Sequence, residues 1–273
     1  MGFSPTRSRP GLSVQGEGVH RVTRALPEEV PVAFVFDGTT QAVMMATPDE
    51  IADFAHGFAV TEGIVTAPEQ IEEFEIAAHD QGIEARFWLR EDRQDALAAR
   101  RRFMAGPVGC GLCGIDSLEQ AVRSVPSITH AAPVFAAREI ARATEALGMC
   151  QPLHDLTRAT HAAGFIRPGG GVVMAREDVG RHNALDKLIG ALWRGGINPA
   201  SGAIVMTSRL SVELVQKCAV AGCGMLIAVS APTAHALRLA EGAGITLVAF
   251  ARGGGFDLYS HPNRIDTEVT HVA

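Results

Sequence analysis

Ala203-Ile-Val-Met-Thr207, Met225-Leu-Ile-Ala-Val229 and Ile245-Thr-Leu-Val-Ala-Phe250 are three short apolar runs, separated by Val212 to Ala221 and Thr233 to Glu241. Both separating segments have helical length and period. Short apolar strands alternating with helices of about ten residues indicate an α/β layer on a largely parallel sheet. Working backwards, Asn183 to Trp193 reads as a helix, Val172-Val-Met174 as an apolar strand, and Arg167-Pro-Gly-Gly-Gly171 as the turn before it. The second half of the chain is therefore expected to be the α/β part.

The first half has a different texture. Val32-Ala-Phe-Val-Phe36, Asp37-Gly38 and Gln41 to Ala46 read as a β-hairpin. Pro48-Asp-Glu50 opens a helix through about Thr61, with Thr47 as its cap and Ile51, Phe54, Ala55, Phe58 and Ala59 at core spacing. Ile71 to Ala77 and Ile83 to Leu89 form a second hairpin, and Asp92 to about Phe103 has helical character. Val134 to Leu147 is a further helix, closed by Gly148. The expected organisation is a flexible leader over 1–24 with an edge strand near Val19 to Val22, a smaller α+β domain over 25–130, and an α/β domain over 131–273.

Composition narrows the function classes. The chain has 273 residues, with 47% hydrophobic and 20% charged, as expected of a folded soluble protein. Its net charge of -6 argues against a broad nucleic-acid surface but permits a local basic pocket. No apolar run reaches the roughly 18 residues of a membrane span. Five cysteines, an odd set, follow a polar N-terminus containing Arg7 and Arg9, which fits a reducing, cytoplasmic setting.

Two of those cysteines lie in Gly109-Cys-Gly-Leu-Cys-Gly114, within a loop over 106–116. Glycines at 106, 109, 111 and 114 favour a loop with special dihedrals over a helix or strand interior. Cys110 and Cys113 could serve as half of a metal site, as a thiol-disulfide couple, or as a nucleophile that accepts and donates a group. A zinc deaminase would need His-x-Glu with Pro-Cys-x-x-Cys. Ala163 stands two residues after His161 and Gly109 precedes Cys110, so that chemistry is unsupported and no metal is expected. Cys218 and Cys223 flank the end of an apolar helix and read as packing residues.

The other concentration of polar residues is Arg176-Glu-Asp-Val-Gly-Arg-His-Asn-Ala-Leu-Asp-Lys187, just after a strand. In open α/β sheets, ligands occupy the crevice beyond the carboxyl ends of strands, beside helix N-termini that favour anions. Thr207-Ser-Arg209 and Ser230-Ala-Pro-Thr233 end two further strands in the same topological position. If these loops share an edge, Arg181, His182 and Arg209 form a phosphate or pyrophosphate clamp, with Ser208 and Ser230 adding hydroxyls.

Taken together, these stretches resemble the formate dehydrogenase accessory sulfurtransferase family, the FdhD sulfur carriers. The resemblance rests on His56-Gly-Phe-Ala-Val-Thr-Glu-Gly-Ile-Val65, Gly109 to Gly114, Thr160-His-Ala-Ala163, Glu177 to Gly190, Thr207 to Lys217, Ser230 to Thr233, and Leu247 through Arg264. It implies a sulfurtransferase that takes persulfide sulfur from a cysteine desulfurase. The sulfur then passes to the bis-guanylyl molybdenum cofactor, Mo-bis(molybdopterin guanine dinucleotide), for formate dehydrogenase maturation. Cys110 maps onto the nucleophile and Cys113 onto the second thiol, which either expels the sulfur by forming a disulfide or shields the intermediate. Phe250, Ala251, Arg252, Gly253, Gly254 and Gly255 map onto a cofactor-contacting segment, with His161 at the same site and GDP as an analogue of the cofactor's nucleotide ends. The resemblance further implies a homodimer, and a three-layer C-terminal domain like the cytidine deaminase fold without its zinc. The alternative is a guanine-nucleotide or cofactor-binding chaperone without covalent sulfur chemistry.

Overall fold

A computed structural model describes residues 3–16, 18–93, 125–129 and 133–267. The first strands are β1 (Thr6–Gln15), β2 (Gly18–Pro27), β3 (Val30–Phe36) and β4 (Thr39–Ala46), followed by helix α1 (Ile51–Thr61). Then come β5 (Ile71–His79), β6 (Gly82–Leu89), β7 (Phe135–Ala136), α2 (Ala137–Gly148) and α3 (Pro152–Thr157). The remainder is β8 (His161–Arg167), β9 (Gly171–Asp178), α4 (Arg181–Arg194), β10 (Ala203–Met206), α5 (Val212–Ala221), β11 (Met225–Ala228), α6 (Ala234–Ala243), β12 (Thr246–Arg252), β13 (Gly255–Ser260) and β14 (Ile265–Asp266). The architecture is mixed α/β.

The large sheet has the order β13-β12-β11-β10-β8-β9. Strict alternation along its strands gives it two buried faces. Phe165, Ile204, Met206, Leu226 and Leu247 pack with Leu185, Leu188, Leu214 and Ala240 of α4, α5 and α6. Their chain neighbours Ile166, Ala203, Val205, Met225, Ile227 and Val248 pack with Ile140, Ala143 and Leu147 of α2 on the opposite side. The expected largely parallel sheet is corrected: β10–β11 and β11–β12 are parallel, whereas β8–β10, β8–β9 and β12–β13 are antiparallel. For β8–β9 and β12–β13 the reason is local, because Gly169-Gly-Gly171 and Gly253-Gly254 form tight turns between neighbours. A parallel step would need a crossover.

The small sheet has the order β4-β3-β6-β5. Asp37 and Gly38 both take positive φ, 48° and 74°, in the expected β3–β4 turn. Val32, Phe34, Phe36, Ala85 and Phe87 bury one face of this sheet against Phe54 and Phe58 of α1. Thr47 is not the cap of α1. The residue before the helix is Glu50, at φ 54°, and Thr47 is used in long-range hydrogen bonds instead.

Helices α1 and α4 cross at two glycines. A Cβ on Gly57 would fall 1.8 Å from the Asp186 carbonyl oxygen, and one on Gly190 would fall 1.9 Å from that of Asp53. Backbone contact at this distance leaves no room for a methyl group. Around the crossing, Arg176 bridges Glu50 at 3.2 Å and Asp53 at 2.8 Å, and Arg194 also pairs with Asp53.

At the N-terminus the structure shows more than the expected flexible leader with one edge strand. β1 and β2 pair antiparallel along their whole lengths, turning at Gly16 with φ 54°. The polar composition hid this ribbon. The start of the helix expected from Val134 is also revised, because Phe135–Ala136 pairs with β14 before α2 begins. The helical segment expected after Asp92 lies largely outside the described residues.

Candidate functional site

β10, β11 and β12 run parallel, so the segments following them, Thr207–Ser211, Val229–Thr233 and Phe250–Gly255, leave the sheet at one edge. β8 runs antiparallel to β10 and starts at this edge with His161. β9 returns there with Asp178 opposite His161, and α4 begins at Arg181. His161, Arg181, His182, Ser208, Arg209, Ser230 and Phe250 consequently lie along a single edge. Leu210 and Pro232 form a parallel bridge that ties two of these loops together.

The charged run from Glu177 to Lys187 divides into two halves. Asp178 and Lys187 are wholly buried and paired at 2.8 Å. Asp178 also accepts from Thr47 N at 3.0 Å, Gly180 N at 2.8 Å and Asn183 Nδ2 at 2.9 Å. Lys187 Nζ donates to the carbonyls of Thr47 at 3.0 Å and Glu177 at 3.3 Å, and Asn183 donates to the Met45 carbonyl at 2.8 Å. Every partner is internal, which is what a buried charge requires. Glu177 accepts from Leu153 N and His154 N, both at 2.8 Å, and so closes the start of α3. Deeper in α4, Asp186 holds Lys217 at 2.9 Å and Thr61 at 2.8 Å, and burial pushes its carboxyl up. These residues fasten the small sheet to the large one.

Arg181 and His182 form the open half. The Arg181 side chain has no hydrogen bond or ion pair with a described residue, and neither does that of Arg209, which is exposed. His182 is mostly buried. Its Nε2 lies 3.4 Å from Ser211 Oγ and 3.9 Å from Glu213. Desolvation, then the Arg181 guanidinium and Lys217, push its pKa down to about 4, against the opposing effect of Glu213. His161 is lowered in the same way, by burial first and by Arg181 second. Both imidazoles are therefore neutral donor-acceptors at neutral pH, beside a guanidinium without a partner among the described residues.

Sequence reasoning did not place Ser211 and Glu213 at the site, where both face His182. Ser211 occupies the N-cap position of α5 without a side-chain cap bond, and its hydroxyl turns to His182 instead. The missed signal was an acid in the first turn of a helix that opens onto the same edge as His182.

The remaining predicted residues are placed as follows. Ser208 is buried, and its hydroxyl donates to the Arg209 carbonyl at 3.0 Å. The Ser230 carbonyl accepts from Phe250 N at 3.3 Å, and Phe250 sits at φ 51° in an irregularity of β12. Ala251 is buried, with its carbonyl taken by the Thr144 hydroxyl. Arg252 pairs with Gly255 across the turn made by Gly253 and Gly254, at φ 60° and 77°. The expected cofactor segment is thus the tip of a β-hairpin.

Cys110 and Cys113, with the loop over 106–116, lie outside the described residues. Cys218 and Cys223 are fully buried in the core, where desolvation raises both thiols, Cys223 to about 11. Such thiols are inert. Among the described residues no three His, Cys, Asp or Glu side chains are grouped to hold a metal, and no helix is long and apolar enough to cross a membrane.

Comparisons with known proteins cover nearly the whole chain. The chain is 50% identical over 260 residues to the sulfur carrier protein FdhD of Agrobacterium fabrum, covering 95% of this chain and 94% of that one. It is 53% identical over 254 residues to the sulfur carrier protein FdhD of Brucella abortus, covering 93% and 94%. A crystal structure described as that of a formate dehydrogenase accessory protein from Desulfotalea psychrophila shares the fold, with a TM-score of 0.74 at 23% identity. That match covers 96% of this chain and 100% of that one. The family model for FdhD/NarQ matches residues 27–266, and the chain belongs to the FdhD/NarQ family.

Proposed function

We propose that the chain is a persulfide sulfur carrier, a sulfurtransferase that takes sulfur from a cysteine desulfurase and passes it to the molybdenum cofactor during formate dehydrogenase maturation. The observation that carries this reading is the near full-length match to sulfur carriers in a chain that keeps Cys110-x-x-Cys113. In the first step, the Cys110 thiolate attacks the outer sulfur of the donor persulfide. An S–S bond forms on Cys110, the donor's S–S bond breaks, and the donor leaves as a thiolate. Release of that sulfur as sulfide needs two electrons. Cys113 supplies them if its thiolate attacks Cys110 and the pair closes as a disulfide.

The cargo in this reading is Mo-bis(molybdopterin guanine dinucleotide), held along the carboxyl edge of the large sheet. The donor set there suits its anionic ends: guanidiniums on Arg181 and Arg209 that have no partner among the described residues, neutral imidazoles on His161 and His182, and the Ser230 segment beside Phe250. The hairpin tip from Phe250 to Gly255, including Arg252, borders the same edge, and GDP is the minimal probe. The helix-sheet-helix layering of residues 131–273 supports a likeness to the cytidine deaminase fold without zinc, with residues 25–130 as the smaller domain. We also read the protein as cytoplasmic and as a homodimer.

Mass measurement after incubation with a cysteine desulfurase and cysteine tests the covalent step. Wild type should gain about 32 Da, the mass of one sulfur in the persulfide chemistry described. Cys110→Ala should lose the adduct and keep its affinity for GDP. A wild type that binds GDP and never gains the adduct would instead be a nucleotide-binding chaperone.

A further inference from the structure

Three acids beside the carboxyl edge are already engaged by the fold. Glu177 accepts from Leu153 N, His154 N and the Thr160 hydroxyl, while Asp178 and Asp186 are buried against Lys187 and Lys217. Glu213 is different. It stands in the first turn of α5 with its side chain 14% exposed, and its ion-pair contact among the described residues is His182 Nε2 at 3.9 Å. That separation is too long for a hydrogen bond.

An acid in a first helical turn ordinarily serves the unbonded amides there. Here Ser211 makes no cap bond, no described amide donates to Glu213, and both side chains turn toward His182. The carboxylate is not sealed either. Among the described residues the buried side-chain oxygen without a partner is Asp37 Oδ2, in the β3–β4 turn, so the unbonded oxygens of Glu213 remain open to solvent. His182 is neutral at neutral pH and leaves the carboxylate charge uncancelled. A mostly buried acceptor with unfilled bonding capacity calls for a donor that arrives from outside.

Phosphate is the wrong donor, because it brings acceptors and negative charge; it belongs with Arg181 and Arg209. A carboxylate is matched by two N–H groups that lie side by side and point the same way, one to each oxygen. Guanine presents such a pair in its ring N–H and 2-amino group, and a pterin ring presents the same pair. Adenine has a bare ring nitrogen, an acceptor, beside its amino group and does not fit.

We propose that Glu213 is the specificity-determining acceptor of the carboxyl edge, its two oxygens taking the ring N–H and amino donors of an aminopyrimidinone ring. The inference rests on the reading above that this edge holds the molybdenum cofactor, and it adds which ring edge the cofactor turns toward the protein.

Calorimetry on the full-length protein with two matched pairs of probes tests it: GDP against XDP, and pterin against lumazine. In each pair the second member carries a carbonyl where the first carries the amino group. Wild type should bind the amino member of at least one pair about tenfold tighter or more, because the carboxylate faces an acceptor in the other. Glu213→Gln, checked for folding by circular dichroism, presents one acceptor and one donor and should erase or reverse that preference. A change confined to the GDP pair assigns Glu213 to guanine, and one confined to the pterin pair assigns it to pterin. If Glu213 only holds His182 in place, the variant weakens both members alike and the ratio of affinities stays that of wild type; that result overturns the proposal. A wild type that binds GDP or pterin without preferring the amino member overturns it too, while the cofactor edge survives. A wild type that binds neither GDP nor pterin overturns both.

Discussion

Asp178 and Lys187 are separated by nine positions from each other and by at most six from Arg181 and His182, yet the two pairs belong to different kinds of environment. The first pair is sealed, with each polar atom met by a backbone or side-chain partner from the small sheet, β9 or α4. Of the second, Arg181 has no described partner, and among the described residues the His182 ring is met by Ser211 and Glu213 at the long end of hydrogen-bond and ion-pair range. One turn of helix separates scaffold from site. A dense polar motif is therefore not a list of ligand contacts: a buried charge whose bonding capacity is already filled has none left for a ligand.

The sharpest way to break this contrast is Lys187→Ala, which strands the Asp178 carboxylate in the interior. Loss of one partner from a buried pair should cost about 3 to 5 kcal/mol in chemical denaturation. Affinity for GDP, measured where the variant is still folded, should stay close to that of wild type. A milder loss would mean that water reaches Asp178 and that the sealed half is not sealed.

His182 stands between the two classes. Its folded pKa of about 4 lies below the 6.5 of an ordinary imidazole, so the unfolded chain takes up a proton first as pH falls. The stability contributed by the neutral imidazole is then complete above pH 6.5 and is lost on acidification toward pH 4. The loss should be about 2 to 3 kcal/mol. Glu50 acts in the opposite sense, because burial raises its carboxyl from 4.5 to about 7 despite Arg176, and its contribution fades as pH rises through that range. The difference between wild type and His182→Gln across this window isolates the histidine. A pH-independent difference would remove His182 from the account.

The smallest effects on stability should come from the open half itself. Arg181→Ala and Arg209→Ala should each weaken GDP binding by about 1 to 2 kcal/mol in calorimetry, through lost charge-assisted hydrogen bonds. Each should change folding stability by less than about 0.5 kcal/mol. Unchanged affinity in both variants would put the nucleotide elsewhere.

Much of this architecture was legible in the sequence because periodicity reports burial. The strand-helix alternation from Ala203 to Phe250 matched the observed elements to within a few residues, and Asp37-Gly38 announced its own turn. What stayed hidden was long-range. Thr47 looks like a cap in sequence, and only folding brings it to Asp178 and Val179, more than a hundred residues away. Strand direction was also hidden, because an apolar strand buried on both faces reads the same whether its neighbour is parallel or antiparallel. The ribbon was hidden too, because its aliphatics keep no single period: Leu12, Val14 and Val19 share one face, whereas Val22 and Leu26 lie on the other.

The glycine crossing of α1 over α4 also bears on how binding energy spreads. With Gly57 and Gly190 in backbone contact, the small sheet cannot slide or hinge against α4 without breaking the Asp186–Lys217–Thr61 bonds beside them. The N-terminus of that same helix α4 faces the carboxyl edge. A ligand that steadies Arg181 and His182 therefore steadies α1 as well. Protection of α1 amides against hydrogen exchange becomes a gauge of occupancy at that edge.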